Sequence, residues 1–203
     1  KAIDNIQQYK KISYCTGYNT MLDSLHFANR AELKINYSKK DEKFAIVSLH
    51  RFETISKKEN LWQVTQEIKK ISKKIKLLFI LHPPTRVSLI KNGLYKTLES
   101  EPGCVLLQRQ NFFQFHSLLT HAEFIITDGG SNQEESYYLG VPCLLFRNET
   151  ERSEGIGENV VISRFDSTII DNFVLNYNSY RKPTVSDTFS PSSFIVDQLK
   201  EYI

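Results

Sequence analysis

The chain has 203 residues, of which 40% are hydrophobic and 24% are charged, and its formal net charge is +3. Such values are typical of a globular protein with a sizeable core, and the charge is too small to indicate nucleic-acid binding. The three cysteines, Cys15, Cys104 and Cys143, lack the spacing of a zinc site or a disulfide framework, which favours a reducing compartment. Since the sequence shows neither a leader nor a membrane-spanning apolar run, we expect a cytoplasmic protein that binds neither membranes nor nucleic acid.

The first 40 residues are predicted to form a connector followed by a helix. Residues 1–11 are polar, which is typical of a frayed end. A turn at residues 15–20 precedes apolar residues at positions 21, 22, 25 and 28, whose spacing predicts a helix. The chain begins with Lys1 rather than Met, so we expect either a piece of a longer protein or a processed form.

Residues 41–175 alternate between short apolar runs and helical patterns. This alternation predicts a doubly wound parallel sheet with right-handed crossovers, which is the Rossmann-like α/β class. Apolar residues three or four apart predict a helix over residues 57–74, whose lysines lie on a solvated face. Shorter helices are predicted over residues 112–119 and after Asp166. The predicted strands cover residues 44–49, 77–81, 104–107, 122–127, 141–146 and 159–163.

Two of the predicted strands end in a histidine. His50 follows the first strand and is itself followed by Arg51 and Glu53, while His82 follows the second strand. Open α/β sheets bind their ligands at the carboxyl ends of the strands, so His50 and Arg51 are candidate site residues. The alternative is that each histidine only forms hydrogen bonds within its own loop.

A glycine turn follows the fourth predicted strand. Gly129 and Gly130 can adopt positive φ and bring backbone N–H groups close to a ligand. Ser131 or Asn132 is predicted to cap a helix that runs to Leu139 and ends at the following glycine. The N-terminus of a helix suits a phosphate, because unpaired N–H donors and the positive end of the helix dipole meet there. The same turn is equally compatible with a purely structural connection, since short glycine motifs are weak signals.

Residues 176–203 are predicted to form a loop and a C-terminal helix. Residues 176–191 are polar and contain two prolines, which predicts a linker or a loop. Pro191 suits the first turn of a helix, in which Phe194, Ile195 and Leu199 are predicted to be buried.

The string over residues 127–154, TDGGSNQEESYYLGVPCLLFRNETERSE, carries the most specific signal. It resembles the signature of the UDP-N-acetylglucosamine 2-epimerase family, whose typical form is TDSGG-x-QEE, a LG-x-P turn and R-x-x-TERPE. Two positions depart from that form. The family's Ser-Gly-Gly reads Gly129-Gly130-Ser131 here, and its Pro after Glu-Arg is Ser153. The first departure affects a hydroxyl that would contact phosphate, whereas the backbone donors are retained.

The resemblance extends to earlier segments of the chain. The family's TGN-x-x-x-D connector matches residues 16–23 with Tyr18 inserted. Its His-Arg-x-Glu-Asn segment matches residues 50–54 with Thr54 in place of the Asn, and its His-x-Asn-Pro segment retains only His82.

The resemblance implies that one set of residues binds UDP. Three backbone positions and an exposed arginine would hold the diphosphate, a glutamate would accept the ribose hydroxyls, and the segment after the third strand would lie against the uracil. In that order, these residues are Gly129, Gly130 and Ser131 with Arg152, then Glu135, then Gln110 and Phe115. Arg51 joins this set, and Glu53, His82, Gln133 and Glu134 are candidate further members. The spacing of Phe115 equally fits a plain core residue.

The resemblance also implies an activity. Non-hydrolysing members of the family convert UDP-N-acetylglucosamine to UDP-N-acetylmannosamine by eliminating UDP and adding it back, without a metal or cofactor, and His50 would be a catalytic group beside the sugar. The chain would be the C-terminal, nucleotide-binding half of a GT-B architecture. The N-terminal domain, with the carboxylates that act at C2, would be absent, so that the chain alone would be inactive.

The expected partners are UDP-N-acetylglucosamine or UDP, the missing N-terminal domain and, in the full-length form, a second copy in a homodimer. Polysaccharide biosynthesis is the expected setting. Three alternatives stay open from the sequence. The chain could belong to a hydrolysing epimerase, to a GT-B glycosyltransferase or to a non-catalytic module that binds nucleotide-sugars.

Overall fold

A computed structural model describes residue 9 and residues 13–30, 42–186 and 188–200. The frayed end predicted for residues 1–11 therefore lies almost entirely outside the described residues. The strands are β1 (Phe44–Ser48), β2 (Lys76–Leu81), β3 (Cys104–Gln108), β4 (Ile125–Thr127), β5 (Cys143–Leu145) and β6 (Val160–Ile162). The α-helices are α1 (Met21–Asn29), α2 (Phe52–Ile55), α3 (Lys58–Ser72), α4 (Pro83–Lys91), α5 (Tyr95–Glu99), α6 (Phe112–His121), α7 (Gly130–Leu139), α8 (Ser167–Asn176) and α9 (Pro191–Lys200), and a 3-10 turn (Tyr177–Tyr180) follows α8.

The six strands form one parallel sheet with the order β3-β2-β1-β4-β5-β6. The order reverses between β1 and β4, which is the topological switch point where sheets of this kind bind ligands. The predicted strands and the doubly wound arrangement are confirmed. β4 is shorter than predicted, with three residues, because the chain before it is still leaving α6, where the Ala122 N–H donates to the carbonyl of Leu119 (3.3 Å).

Helices cover both faces of the sheet, so every residue of β1 is buried, as is typical of parallel strands. Ala45 and Val47 point to one apolar cluster, which α3, α4, α5 and α8 complete. Phe44 and Ile46 point to the opposite cluster, which α1, α6 and α7 complete. We call these sides the first face and the second face of the sheet.

The helices differ in how well the sequence predicts them. α3 confirms the helix predicted over residues 57–74, and its predicted apolar face is buried. The sequence does not predict α4 or α5. α4 starts at Pro83 and buries only Thr85 and Leu89, so it lacks the apolar repeat by which an amphipathic helix is recognised.

The predicted N-terminal helix is confirmed as α1, and its apolar residues pack into the domain. Leu22, Leu25 and Ala28 are buried. The turn before the helix is also attached, since the Asn19 N–H donates to the hydroxyl of Tyr138 on α7 (3.1 Å). The connector is therefore fixed to the same helix that carries the glycine turn.

The segment after the 3-10 turn is a loop that is fixed to the domain. The Lys182 N–H donates to the carbonyl of Gly140 (3.0 Å), and the Val185 N–H donates to the carbonyl of Tyr138 (2.8 Å). The guanidinium of Arg181 donates to two carbonyls that precede β4 (2.7 and 2.8 Å). Of the two alternatives predicted for this segment, linker and loop, the structure has the loop.

α9 begins where it was predicted, but the predicted burial of its apolar residues is wrong. Ile195 and Leu199 are 38% and 56% exposed, and Phe194 is only half-buried. The reason is that the helix is attached at its first turn, where the Ser192 N–H donates to Asp23 (2.8 Å), rather than along its length. None of the helices in the described ranges is both long and apolar enough to cross a bilayer.

Candidate functional site

Asp128, the residue after β4, organises the switch point between β1 and β4. Its carboxylate is fully buried and accepts hydrogen bonds from the backbone N–H groups of His50 (3.0 Å) and Arg51 (2.9 Å), which follow β1. A buried carboxylate with two N–H donors fixes the path of the chain where β1 ends. Asp128 is absent from the predicted site, although a carboxylate directly after an apolar strand was a signal that could have indicated it.

The two predicted histidines lie together at this point. Their rings are stacked with centroids 4.5 Å apart, and Nδ1 of His50 is 3.6 Å from Oδ1 of Asp128. Burial lowers the pKa of His82, and the nearby charges of His50 and Arg109 lower it further. The side chain of His50 is 38% exposed, so His50 is the more accessible of the two to a ligand at the sheet edge.

The glycine turn after β4 contains no left-handed residue. Gly129 has φ −89° and ψ 130°, and Gly130 is not among the glycines with positive φ, so neither residue uses the positive φ that glycine allows. Space is the reason for glycine at both positions. A Cβ at Gly129 would lie 2.9 Å from Cε1 of His50, and a Cβ at Gly130 would lie 2.7 Å from Nε of Arg152. The turn is therefore where two predicted site residues approach the backbone.

α7 begins at Gly130 with Gly129 as its N-cap, so the predicted caps Ser131 and Asn132 lie inside the helix and that prediction is wrong. The side chain of Asn132 is occupied elsewhere, because it accepts a hydrogen bond from the hydroxyl of Thr127 (3.0 Å). The N–H groups of Gly130, Ser131 and Asn132 have no acceptor among the described residues, as expected for a first helical turn without a capping side chain. Three free donors therefore lie at the positive end of the helix dipole.

Arg152 lies across the start of α7. Its Nη1 atom is 2.6 Å from Oε2 of Glu134, and its buried Nε has no hydrogen-bond partner in the described part of the chain. Glu134 is 1% exposed and accepts a further hydrogen bond from Nδ2 of Asn19 (3.3 Å). Burial raises the pKa of Glu134, and the guanidinium of Arg152 opposes that rise. Glu134 is thus the counter-ion of Arg152.

Glu135 is the next residue along α7, and no cation is paired with it among the described residues. It is 9% exposed and accepts a hydrogen bond from Nδ2 of Asn132 (2.9 Å). Burial raises the pKa of Glu135 to about 7, although the hydrogen bond from Asn132 opposes the rise. A ligand that donates hydrogen bonds to this carboxyl would favour its ionised form.

Gln133 supports the loop that carries Arg152. The side chain is fully buried, and its oxygen accepts a hydrogen bond from the hydroxyl of Thr150 (2.8 Å). Its nitrogen donates to the carbonyls of Arg152 (3.3 Å) and Glu154 (2.9 Å). This candidate residue therefore lies behind the predicted diphosphate site and holds the loop in place.

Arg51 joins the end of β1 to the same loop. Its Nη2 atom is 2.9 Å from Glu151, whose second oxygen is 2.9 Å from Nη1 of Arg147. A hydrogen bond from its own backbone N–H, together with Arg147 and Arg51, lowers the pKa of Glu151 to about 2. The exposed carboxylate of Glu53 is 3.5 Å from Arg51. Arg51 thus ties the end of β1 to the loop that carries Arg152.

Gln110 and Phe115 lie at the start of α6. α6 and α7 both pack on the second face, where α1 contacts each of them, and Phe115 is partly buried against the shared apolar cluster. The side chain of Gln110 donates to the carbonyl of Gln108 (2.7 Å), and Asn111 caps the helix. Both helices begin at the carboxyl edge of the sheet, so the two predicted groups of UDP residues share one face and one edge.

The site offers hydrogen-bond donors and charged groups rather than a metal centre or a nucleophilic thiol. Among the described residues, no three His, Cys, Asp or Glu side chains are close enough together to hold a metal ion. Cys104 and Cys143 are free and buried, and burial raises the pKa of both thiols to about 12. Such thiols are inert at neutral pH. The arrangement around α7 therefore suits an anionic ligand with hydroxyl groups.

Comparison with known proteins identifies the family. A family model described as UDP-N-acetylglucosamine 2-epimerase matches residues 7–186. The chain belongs to this epimerase family. It is 31% identical over 161 residues to a UDP-N-acetylglucosamine 2-epimerase homolog of Methanococcus maripaludis, and the aligned region covers 76% of this chain and 44% of the relative. It is 37% identical over 122 residues to a UDP-N-acetylglucosamine 2-epimerase of the same organism, and the aligned region covers 59% of this chain and 33% of the relative.

Solved structures of epimerases share the fold. The Methanocaldococcus jannaschii UDP-GlcNAc 2-epimerase in complex with UDP-GlcNAc and UDP superposes with a TM-score of 0.75 and 27% identity, over 90% of this chain and 53% of that chain. The predicted fold class, a doubly wound Rossmann-like domain of a GT-B architecture, is confirmed. The chain spans about half the length of that epimerase and less than half of the two Methanococcus relatives.

Proposed function

We propose that this chain is the C-terminal, UDP-binding half of a non-hydrolysing UDP-N-acetylglucosamine 2-epimerase. That enzyme is an isomerase that interconverts UDP-N-acetylglucosamine and UDP-N-acetylmannosamine. The observation that carries the proposal is the free first turn of α7 beneath the guanidinium of Arg152. The epimerase of similar fold binds UDP-GlcNAc and UDP, and the length of that enzyme supports a second domain outside this chain.

The diphosphate is proposed to bind at the start of α7. The N–H groups of Gly130, Ser131 and Asn132 would donate to phosphate oxygens at the positive end of the helix dipole. The buried Nε of Arg152, which has no hydrogen-bond partner among the described residues, would donate to the same group. Because these donors are mainly backbone groups, the Gly-Gly-Ser order in place of the family's Ser-Gly-Gly leaves them intact.

The nucleoside is proposed to extend from α7 towards α6. Glu135 would accept hydrogen bonds from the two ribose hydroxyls, which would supply the donors that its buried carboxyl lacks. The uracil would lie against the open part of Phe115, beside Gln110. This path keeps the nucleoside on the second face of the sheet, where both helices begin at the carboxyl edge.

The chemistry begins with removal of the proton at C2 and cleavage of the bond between C1 and the β-phosphate oxygen, which yields 2-acetamidoglucal and UDP. UDP then adds back to C1, and a proton enters C2 from the opposite face. Arg152 and the α7 N-terminus would stabilise the charge that develops on the departing diphosphate. His50, exposed beside Asp128, would exchange a proton near the leaving group. The carboxylates that act at C2 are assigned to the second domain.

The cellular setting is part of the same proposal. Two free, buried thiols fit a reducing compartment, so we assign the enzyme to the cytoplasm. A homodimer of the full-length protein and a role in polysaccharide biosynthesis stay predictions.

Titration of the isotope-labelled 203-residue chain with UDP, followed by NMR, tests this assignment. We expect UDP to shift the amide signals of residues 129–133 first, with an affinity of about 4–6 kcal/mol, because contacts from a second domain are missing. Uridine, the control, should shift signals near Phe115 and Glu135 but not those of residues 129–131. Saturation without shifts at the α7 start would contradict the diphosphate site, and proton exchange at C2 by this chain alone would contradict the division between two domains.

A further inference from the structure

A groove of about 540 Å³ lies along β3, the outer strand of the sheet, between that strand and helices α4 and α5. Its volume is within the range of small-molecule sites. None of the residues proposed to bind UDP lines it. Most of the groove lies on the first face, where α4 and α5 pack, whereas α6 with Phe115 packs on the second. We call it the edge groove.

The walls of the edge groove are apolar. Val87 and Ile90 of α4 are 65% and 53% exposed, and Leu106 and Leu107 of β3 are only partly buried. Side chains of neighbouring residues point to opposite faces of a strand, so a groove lined by both leucines reaches around the strand edge. An outer strand with apolar side chains is usually blunted by charges or covered. Here the apolar walls form a surface that the apolar part of a ligand can cover.

Two arginines, Arg86 and Arg109, also line the edge groove. The guanidinium carbon of Arg86 is 5.5 Å from the centroid of the Tyr95 ring, and this cation–π contact favours a fixed position for the charge. Arg109 belongs to the loop after β3. Burial lowers the pKa of His82, and the positive charge of Arg109 lowers it further, so Arg109 lies near His82. Neither arginine has a carboxylate within ion-pairing distance in the described part of the chain.

The lack of an acidic partner distinguishes these two arginines from those around the loop after β5. Arg51, Arg147 and Arg152 each contact a glutamate at 2.6–2.9 Å. A guanidinium presents paired N–H donors that match the two oxygens of a carboxylate or phosphate. Two such groups beside apolar walls are complementary to a ligand with an anionic end and an apolar body.

We propose that the edge groove binds a small organic anion. Its carboxylate or phosphate would be held by Arg86 and Arg109, and its apolar body would cover Val87, Ile90 and Leu106. None of its lining residues is among those proposed to bind UDP, so either proposal can fail without the other.

The test uses 2-naphthoate, a flat aromatic carboxylate, and the labelled 203-residue chain. We expect 2-naphthoate to shift the side-chain N–H signals of Arg86 and Arg109 and the amides of Leu106 and Leu107. The neutral control, 2-naphthalenemethanol, has the same rings without the charge and should bind about tenfold more weakly. Arg86→Gln and Arg109→Gln should each weaken 2-naphthoate binding several-fold, whereas Arg164→Gln, outside the groove, should leave it unchanged.

The source of the anionic group is resolved by a second probe, 2-naphthyl phosphate, which should bind more tightly than 2-naphthoate if the natural ligand is a phosphate. Saturating UDP should displace neither probe. Equal affinity for the neutral alcohol, absence of shifts at Leu106 and Leu107, or displacement by UDP would each overturn the proposal. The comparison of probes on the unaltered chain decides the outcome even where a variant does not fold.

Discussion

Glu134 and Glu135 are adjacent on α7, yet they lie in opposite electrostatic surroundings. Glu134 faces the loop after β5, where Arg152 is 2.6 Å away and Asn19 donates a hydrogen bond. Glu135 has a hydrogen bond from Asn132 and no paired cation among the described residues. Both are buried, at 1% and 9% exposure, so burial alone does not distinguish them.

The difference indicates different uses for the two carboxylates. A buried charge that meets a guanidinium and an amide is balanced, and it fixes the position of its partner. A buried carboxyl without a cation opposes folding when it ionises, and such groups are frequent at functional sites. In the proposed function, ribose hydroxyls supply donors to Glu135, whereas Glu134 orients the guanidinium that meets the diphosphate.

The largest effect is expected from removing the cation of the balanced pair. Arg152→Ala leaves Glu134 buried and unpaired, which should lower the free energy of unfolding by about 3 kcal/mol, near the lower limit for buried ion pairs because the Arg152 side chain is 32% exposed. UDP binding should weaken by about 1.5–3 kcal/mol as well. The exposed arginine predicted from the sequence would leave stability almost unchanged. Chemical denaturation and calorimetry measure the two effects.

A double variant separates the two roles of Arg152. Glu134→Gln in the Arg152→Ala background removes the unpaired charge and keeps the shape of the side chain. It should restore most of the lost stability while UDP binding stays weak. A double variant as unstable as Arg152→Ala, or one that regains UDP affinity, would contradict the assignment of Glu134 as counter-ion.

The next effect is a gain of stability at Glu135. Its pKa of about 7 in the folded chain exceeds the ordinary value of 4.5, so ionisation opposes folding. The favourable contribution of the protonated group is complete below pH 4.5 and is lost as the pH rises to about 7, which amounts to at most about 3 kcal/mol. Glu135→Gln does not ionise, so it should match the unaltered chain near pH 4 and be more stable near pH 8. Denaturation at both pH values measures the difference.

The same substitution should harm nucleoside binding. Neutral amide contacts to the ribose are weaker than those of a carboxylate, so uridine and UDP should each lose about 1–2 kcal/mol of binding free energy. Glu134→Gln is the matched control one residue away, and it should leave uridine affinity almost unchanged. If UDP binding falls and uridine binding does not, Glu135 acts on something other than the ribose.

The fold is largely predictable from the sequence, for a physical reason. Parallel strands are buried on both faces and read as apolar runs, so all six were located. α4 was missed because it buries only Thr85 and Leu89. The exposure of Ile195 and Leu199 was missed because periodicity identifies an apolar helix face but not what covers it.

The site is predictable in place but not in its contacts. The histidines after β1 and β2 and the turn after β4 were located because these strands end at one edge of the sheet. Asp128 binds the backbone of His50 across 78 positions of sequence, and the order of the strands that brings them together is not written in either strand. The close approach of Arg152 to Gly130, where a Cβ would lie 2.7 Å from Nε of the arginine, has the same origin.

The smallest effect is expected at Asn19, which donates a hydrogen bond to Glu134, the carboxylate that is paired with Arg152. Asn19→Ala removes the hydrogen bond to Glu134 (3.3 Å) and the one that the side chain accepts from the Met21 N–H (3.0 Å), so stability should fall by about 1 kcal/mol. UDP affinity should change little, because Arg152 still holds Glu134. Asn19→Asp is the informative control, since it can still accept from the Met21 N–H but places a second carboxylate beside Glu134. Its stability should fall further as the pH rises and both carboxylates ionise, and it should recover in acid, where they are protonated. Equal losses for the two variants at every pH would show that Asn19 acts only through the turn before α1.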